Sequence, residues 1–487
     1  MISSTTKVDE TRAPAIAAGL AKMALLPEWL LAPLQADVVR DALRQSVPEF
    51  AAGTLSLNGV KIRRMLLKDD SRCWAGVYDL AIEDSFSGKR TIALRGSVTP
   101  PAVGDVESCS PQAPFGAEGW RVTLQGLRLA LEPEPPEGAL PTLPYLTEPG
   151  AARALLESGI RACAHADMRI DACRPEVLSY KPGSRCTIRY HLAYPLDLAD
   201  RGWPATAIAK TYRKESKGRN AYESMVALWN TPLAHGDVVT LAEPLAYIPE
   251  RTLMVQGPVA GDRSLEDLLK DALKIDTPEA YDALNVYMRK AAAALAALHM
   301  SGVRLGEHVG LDNRYAELYD RSARLYAVVP ELRGAAEPLL EQLEVLASVT
   351  PPDPAAPSHG TFSPEQVLID GEQVGFIDFD EFCMAEPALD VGLFRAAIKD
   401  IGMNALDARQ SRDQATRQAR LERLDAICDE FLAEYARHAP ISRERVALWE
   451  AWSYLRDALN FWVKVKPAEP DNGMLMLKQH LRVMNLI

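Results

Sequence analysis

The sequence predicts an α+β chain, with antiparallel sheet in its first half and helices dominating its second. Three observations carry this. Between Gly59 and Val98, short alternating apolar runs are separated by Asp-, Ser- and Gly-containing turns, which is the texture of strands. A similar strand–turn–strand pattern returns between Val177 and Thr211. From Ser264 onward, apolar residues recur at three- and four-residue spacing in runs such as Tyr281–His299, too long for strands.

Taken in order, residues 15–45 read as helical, with Ala15–Leu26 behind Pro14, a break at Pro27, and a second amphipathic run from Leu34 to Leu43. Strands are expected over Val60–Leu67, Cys73–Ile82 and Arg90–Val98, with turns at Asp69-Asp70-Ser71 and Ser85–Gly88. Val103–Phe115 is turn-rich, and Trp120–Leu131 alternates as one further strand. Pro133, Pro135, Pro136, Pro141, Pro144 and Pro149 then crowd one stretch, so 132–150 reads as a linker behind a first α+β domain, 1–131.

Beyond the linker, Ala151–Ile160 is expected to be a helix. Val177–Tyr180 and Thr187–Tyr194 are strands around the turn Lys181-Pro182-Gly183-Ser184. The strand Thr206–Thr211 carries Lys210 in an apolar setting, and the helix Gly218–Trp229 carries Glu223 on its polar side. Leu253–Gly257 reads as a strand ending in a hinge, which closes a segment 151–257. Residues 258–487 are mainly helical, beginning with a helix capped by Ser264 and acidic in its first turn at Glu266 and Asp267.

An internal repeat spans the linker. Ser71-Arg72-Cys73 recurs as Ser184-Arg185-Cys186, an offset of 113 residues, between two expected strands both times. Arg95 stands where the second copy has Lys210, and no acidic helix follows the first copy. The first domain is therefore expected to imitate the sheet of the second.

The formal charge of −12 argues against a nucleic-acid partner, whose footprint is basic and clustered, and suits a cationic small molecule. Seven scattered cysteines with no C-x-x-C pair fit a reduced thiol set. The first fifteen residues lack a basic stretch followed by an apolar core, and no run reaches about 18 uninterrupted apolar residues. The expectation is a cytoplasmic protein with no membrane partner.

The chemistry concentrates in Pro357–Leu393. Two short apolar strands, Gln366–Ile369 and Val374–Ile377, flank Asp370-Gly371, a strong hairpin signal. The open end of that hairpin would gather His359, Thr361 and Gln366 on the entering side and Asp378 and Asp380 on the leaving side. A lysine inside an apolar strand, as at Lys210, is costly to bury without a partner. The bland alternative is an edge-strand lysine whose ammonium reaches solvent.

This layout resembles the catalytic loop and metal segment of the aminoglycoside phosphotransferase and choline kinase-like family, which read H-G-D-x-x-x-x-N, a hairpin, I-D-F/W-x and D-P-x-x-D. Here the spacing is kept by His359-Gly360-Thr361, Gln366, Ile377-Asp378-Phe379 and Glu386-Pro387-Ala388-Leu389-Asp390. Thr361 stands in place of the family's catalytic Asp, and Gln366 in place of its Asn. The resemblance implies a bilobal protein kinase-like fold, with an antiparallel small lobe over 151–257 and a helical large lobe over 258–487. It implies ATP and Mg2+ as cofactors and a small-molecule acceptor.

By that resemblance Lys210 holds phosphate oxygens and is oriented by Glu223, while Lys181, Gly183 and Arg185 lie over the phosphates and Gln256 marks the hinge beside the adenine. Asp378 and Gln366 are the implied metal ligands. His359, Thr361 and Asp380 are the implied catalytic set, with Asp380 or Glu365 standing in as base, and Asp390 braces the loop. The implied activity is phosphoryl transfer from ATP to a hydroxyl or amine. A neutral threonine hydroxyl cannot take a proton as a carboxylate does. The alternative is therefore a pseudokinase that binds nucleotide and works through a protein partner, docked on the amino-terminal domain.

Overall fold

The computed structural model describes residues 12–63, 65–68, 70, 72–84, 88–134, 142–181, 185–407, 409–465 and 472–487. They form an α+β chain that divides into two compact units, each assembled from separate stretches of sequence. The first comprises Met1–Pro136, Leu311–Val349 and Ala451–Ile487; the second comprises Glu137–Gly310 and Thr350–Glu450. The sequence reading assigned all of 258–487 to one helical lobe, whereas 311–349 and 451–487 belong to the first unit.

In the second unit, five antiparallel strands lie in the spatial order Ala172–Lys181, Arg185–Ala193, Thr206–Thr211, Leu253–Gln256, Pro244–Ile248. One face alternates inward. Ile188 and Tyr190, Ala207 and Ala209, and Leu253 and Val255 meet Ala152, Leu156 and Ile160 of the helix Pro149–Cys163 in one buried cluster. Those three helix positions fall four residues apart, so one stripe seals the sheet. The helix Glu215–Trp229 follows the third strand. The rest is mainly helical, including Leu265–Ile275, Pro278–His299, Ala388–Asn404 and Gln414–His438, with two small sheets. An antiparallel sheet lobe followed by a helical lobe is the expected protein kinase-like architecture. Ser264 caps the first of those helices in a reciprocal box with Asp267.

The first unit repeats the same sheet. Its strands lie in the order Met65–Lys68, Cys73–Asp84, Gly88–Val98, Leu129–Pro133, Val122–Leu124, so in both units the last two strands swap places relative to the sequence. Leu55–Ile62 extends the first strand along Cys73–Asp84, and Lys464–Val465 adds an edge. The stretch expected as one strand, Trp120–Leu131, is two strands around a turn.

That turn matches its counterpart in detail. A 3-10 turn at Gln125–Leu127 is followed by left-handed Arg128 (φ 51°), and one at Pro249–Arg251 by left-handed Thr252 (φ 45°). The amide of Thr99 donates to the Arg128 carbonyl at 3.1 Å as that of Tyr212 donates to Thr252 at 3.0 Å. A buried tyrosine in each second strand, Tyr78 or Tyr190, donates to a backbone carbonyl upstream of the sheet, Pro33 at 3.0 Å or Leu146 at 2.9 Å.

These pairs correct the repeat's register. Lys68 closes the first hairpin against Cys73, and Lys181 closes the second against Arg185, so the first turn is one residue longer. The Ser-Arg-Cys motifs are therefore out of step by one residue. Counting from Tyr78 opposite Leu94 and Tyr190 opposite Ala207, the counterpart of Lys210 is Ser97, not Arg95. The next strand agrees, since Ser97 faces Ala130 and Lys210 faces Met254. Arg95 instead pairs with Glu134 at 3.3 Å. Among the described residues, nothing longer than the one-turn Pro101–Val103 separates the third and fourth strands of the first copy, where the second has Glu215–Trp229.

Side chains distant in sequence hold the first unit's segments together. Trp74 Nε1 donates to the Trp462 carbonyl at 2.7 Å, and Trp462 Nε1 to that of Met23 at 2.9 Å. Helix Ala13–Met23 packs against helix Glu331–Val349 at Gly19, where a Cβ would lie 2.1 Å from the Ala335 carbonyl oxygen. The stretch Ala13–Leu34 has the length and apolarity of a membrane span. It is broken before Glu28 by Pro27, and its Ile16, Leu20, Met23, Leu30 and Leu34 are buried within the protein.

Candidate functional site

The hairpin forms as Val367–Asp370 and Gln373–Phe376, with Gly371 at φ 53° in its turn. Two residues on, Asp378 adopts φ 72°, and the 3-10 turn Phe379–Glu381 follows. A left-handed aspartate is uncommon, and such backbone is held only where its surroundings over-determine it. The bend turns the Asp378 and Asp380 side chains toward the sheet.

They meet Lys210 there. The Lys210 ammonium pairs with Asp378 Oδ1 and lies 3.3 Å from Asp380 Oδ1, its side chain only 19% exposed. Asp380 Oδ1 also accepts from the Tyr212 hydroxyl at 2.7 Å. Burial is the largest single influence on the Asp378 carboxyl and pushes it up, but the charge and hydrogen bond of Lys210, with smaller help from His359 and Asp380, together hold that carboxyl below the usual range. Asp380 goes the other way, raised by burial despite Lys210, with repulsion from Asp378 adding to the rise. Burial, then the charge of Asp380, raises the Tyr212 phenol.

The catalytic-loop segment is anchored from below. Asp390, fully buried in the first turn of Ala388–Asn404, accepts from the amides of His359 at 2.6 Å and Gly360 at 2.8 Å. It also takes His299 Nε2 at 3.0 Å, while His299 Nδ1 meets the Tyr435 hydroxyl at 2.6 Å. Since the carboxylate only accepts, Nε2 carries the hydrogen in that contact. Burial raises the Asp390 carboxyl, yet the His299 hydrogen bond and the charges around it bring the net shift below the usual range. Gly360, at φ 86°, is obligatory, because a Cβ would lie 2.0 Å from the Glu381 carbonyl oxygen.

Several candidates stand differently from the sequence reading. Glu223 is exposed on its helix, and the carboxylates at Lys210 come from Asp378 and Asp380 instead. His359 is fully buried, with Nε2 donating to the Ile377 carbonyl at 2.9 Å, and burial depresses its pKa, so its ring is neutral and structural. Gln366 does not present its amide oxygen to the site. That oxygen accepts from the Ser363 amide at 3.0 Å, and its Nε2 turns toward Thr361 Oγ1 at 3.5 Å. Thr361 itself is exposed.

Lys181 and Arg185 flank the small-lobe turn, Arg185 close enough for its charge to act on Tyr212; Gly183 lies outside the described residues. Gln256 is buried at the end of its strand beside Ile208, and the next amide, Gly257, donates to the Glu243 carbonyl at 2.8 Å. Tyr212 is the residue that the sequence reading missed. Its signal was its place two residues beyond Lys210, on the same side of an extended strand.

Residues 255–427 match the model of the phosphotransferase enzyme family, from the hinge through the catalytic loop and the Asp390 helix. This segment is a domain of that family. No curated protein matches the chain. The chain is similar to solved structures of a glucosamine kinase (12% identity, TM-score 0.47, covering 88% of this chain and 92% of that one). It is similar also to the choline kinase of Streptococcus pneumoniae (15%, 0.37, 61% and 90%). A third is an aminoglycoside phosphotransferase from Streptomyces rimosus (17%, 0.34, 58% and 92%).

Within the phosphotransferase domain and the lobe before it, the groups suited to a divalent metal are Asp378 and Asp380. Magnesium takes hard oxygen donors, commonly one or two carboxylates completed by phosphate oxygens and water. Two carboxylates already sharing one cation, the Lys210 ammonium, fit that requirement. Among the described residues, no group of three or more His, Cys, Asp or Glu side chains could hold a metal by itself.

Proposed function

We propose that the protein is a phosphotransferase that moves the terminal phosphoryl group of magnesium-ATP to a hydroxyl or amine of a small molecule. One observation carries the reading: a lysine inside the small-lobe sheet holds its half-buried ammonium between two carboxylates at the end of the phosphotransferase domain's hairpin. An ion pair so placed adds little stability for the desolvation it requires, so its purpose is better sought in chemistry.

In this reading the ammonium of Lys210 exchanges its carboxylate partners for phosphate oxygens when nucleotide binds. Lys181 and Arg185 neutralise the phosphates from the turn above, and the backbone at Gln256 and Gly257 meets the adenine. Magnesium held by the carboxylates supplies charge neutralisation and a template for in-line transfer. Asp390 fixes the loop that presents Thr361, so the acceptor's oxygen or nitrogen is oriented by backbone held from a buried anion. Removing a positioned general base costs about 10²–10⁴ in rate. Phosphoryl transfer through a loose transition state defers deprotonation, so the lower end of that range applies. The net charge of −12 favours a cationic acceptor.

A second reading is favoured by Thr361, whose only side-chain hydrogen bond among the described residues is the long one from Gln366. In it, the site binds nucleotide without transfer, and the first unit, with its copied sheet lacking the lysine, serves as a docking platform. Screening amino- and hydroxyl-bearing acceptors for ADP release from magnesium-ATP separates the two. Acceptor-dependent ADP release supports the transferase; nucleotide binding with no release across the panel supports the second reading.

A further inference from the structure

We infer that Asp380, not Gln366, is the second protein ligand of the nucleotide's metal ion. The inference rests on the nucleotide-binding reading above and assigns a residue within it. Gln366 has the length to fold back on its own turn, and does so. With its amide oxygen satisfying the Ser363 amide at 3.0 Å, the end left to face Thr361 is the NH2 group, a donor that repels a cation. The backbone closes the same turn from the other side, since the Gln366 amide donates to the Ser363 carbonyl at 3.0 Å. Freeing the oxygen would orphan a backbone donor.

Asp380 has the opposite disposition. Its carboxylate lies with that of Asp378 against a single cationic nitrogen, at 3.3 Å from Lys210 Nζ, and the Tyr212 hydroxyl holds it there at 2.7 Å. The left-handed backbone at Asp378 aims both side chains at one point. The Lys210 ammonium thus marks a place where two hard oxygen donors converge, and a divalent cation bridging nucleotide phosphates has the charge and donor preference to take it. As a ligand, Asp380 is withdrawn from the role of proton acceptor for the incoming substrate. Tyr212 becomes a positioning residue that keeps this carboxylate turned inward, as partners behind metal ligands do elsewhere.

Calorimetric titration of the full-length protein with ADP, with Mn2+ present or with chelator instead, tests this. The expected wild-type result is tighter ADP binding with Mn2+. Asp380→Asn should reduce that Mn2+-dependent gain, the ratio of ADP affinities with and without metal in the same variant, by about tenfold or more. Asp380→Glu, which retains the carboxylate, should recover part of the gain, and Gln366→Ala should keep it. Loss of the gain in Gln366→Ala with retention in Asp380→Asn would overturn the assignment and leave nucleotide binding standing. Absence of any ADP binding by the wild type would overturn the nucleotide reading and this inference together.

Discussion

Asp390→Asn is the substitution whose consequence the structure defines most closely. The carboxylate is fully buried and takes three donors: the His359 amide at 2.6 Å and His299 Nε2 at 3.0 Å on Oδ2, and the Gly360 amide at 2.8 Å on Oδ1. An asparagine keeps two donors by leaving its oxygen at the Oδ2 position. Its NH2 then faces the Gly360 amide, donor against donor, and that buried N–H goes unpaired at about 1–3 kcal/mol. The two surviving bonds lose their charge assistance, roughly 1 kcal/mol each. The expected loss is about 3–5 kcal/mol, read as a lower urea midpoint at unchanged slope. Because the folded carboxyl's pKa is depressed, its stabilisation is complete above the unfolded value near about 4 and is lost as pH falls through the folded value. The wild type's advantage over Asp390→Asn should therefore shrink on acidification below about pH 4. A midpoint difference worth less than about 1 kcal/mol at neutral pH would refute the brace.

Thr361→Asp should raise acceptor-dependent ADP release by about tenfold to a thousandfold, since it restores a carboxylate at the family's base position; no gain, with nucleotide still bound, would favour the non-transferring reading. Gly360→Ala places a methyl against the Glu381 carbonyl at a φ of 86°, and should lower stability by more than about 2 kcal/mol in thermal unfolding. Glu450→Gln removes the carboxylate between Arg395 at 2.8 Å and Lys399 at 2.6 Å in the helical core, leaving two buried cations under-paired. A loss of about 3–5 kcal/mol is expected in urea, whereas a neutral effect would mean that water reaches the cluster.

What could be read from the sequence was set by local chemistry. The Asp370-Gly371 hairpin, the Ser264 cap and the strand around Lys210 follow from turn residues and period alone, and each formed where expected. The repeated sheet was visible through Ser-Arg-Cys, but its register was not. A turn longer by one residue shifts every later pairing, and the faces are fixed by burial of Tyr78 and Tyr190, which no motif announces. Glu223 was misjudged because a helix's polar side shows which face avoids the core, not which residue on it reaches the next element. That the Gln366 amide oxygen turns back to the Ser363 amide was illegible, because an amide can serve either its own turn or a ligand. The grouping of 311–349 and 451–487 with the amino-terminal sheet was illegible, since an amphipathic helix declares that it needs a partner without naming it.

The central claim is that Lys210 and Asp378 belong to a nucleotide site that transfers phosphate. The most direct measurement is ADP release from magnesium-ATP by the full-length protein, across an acceptor panel, compared with Lys210→Ala and Asp378→Asn. The account predicts release that depends on one class of acceptor and falls by at least about a hundredfold in both variants. Turnover by the wild type that both variants match, or a wild type that binds no nucleotide, would contradict it.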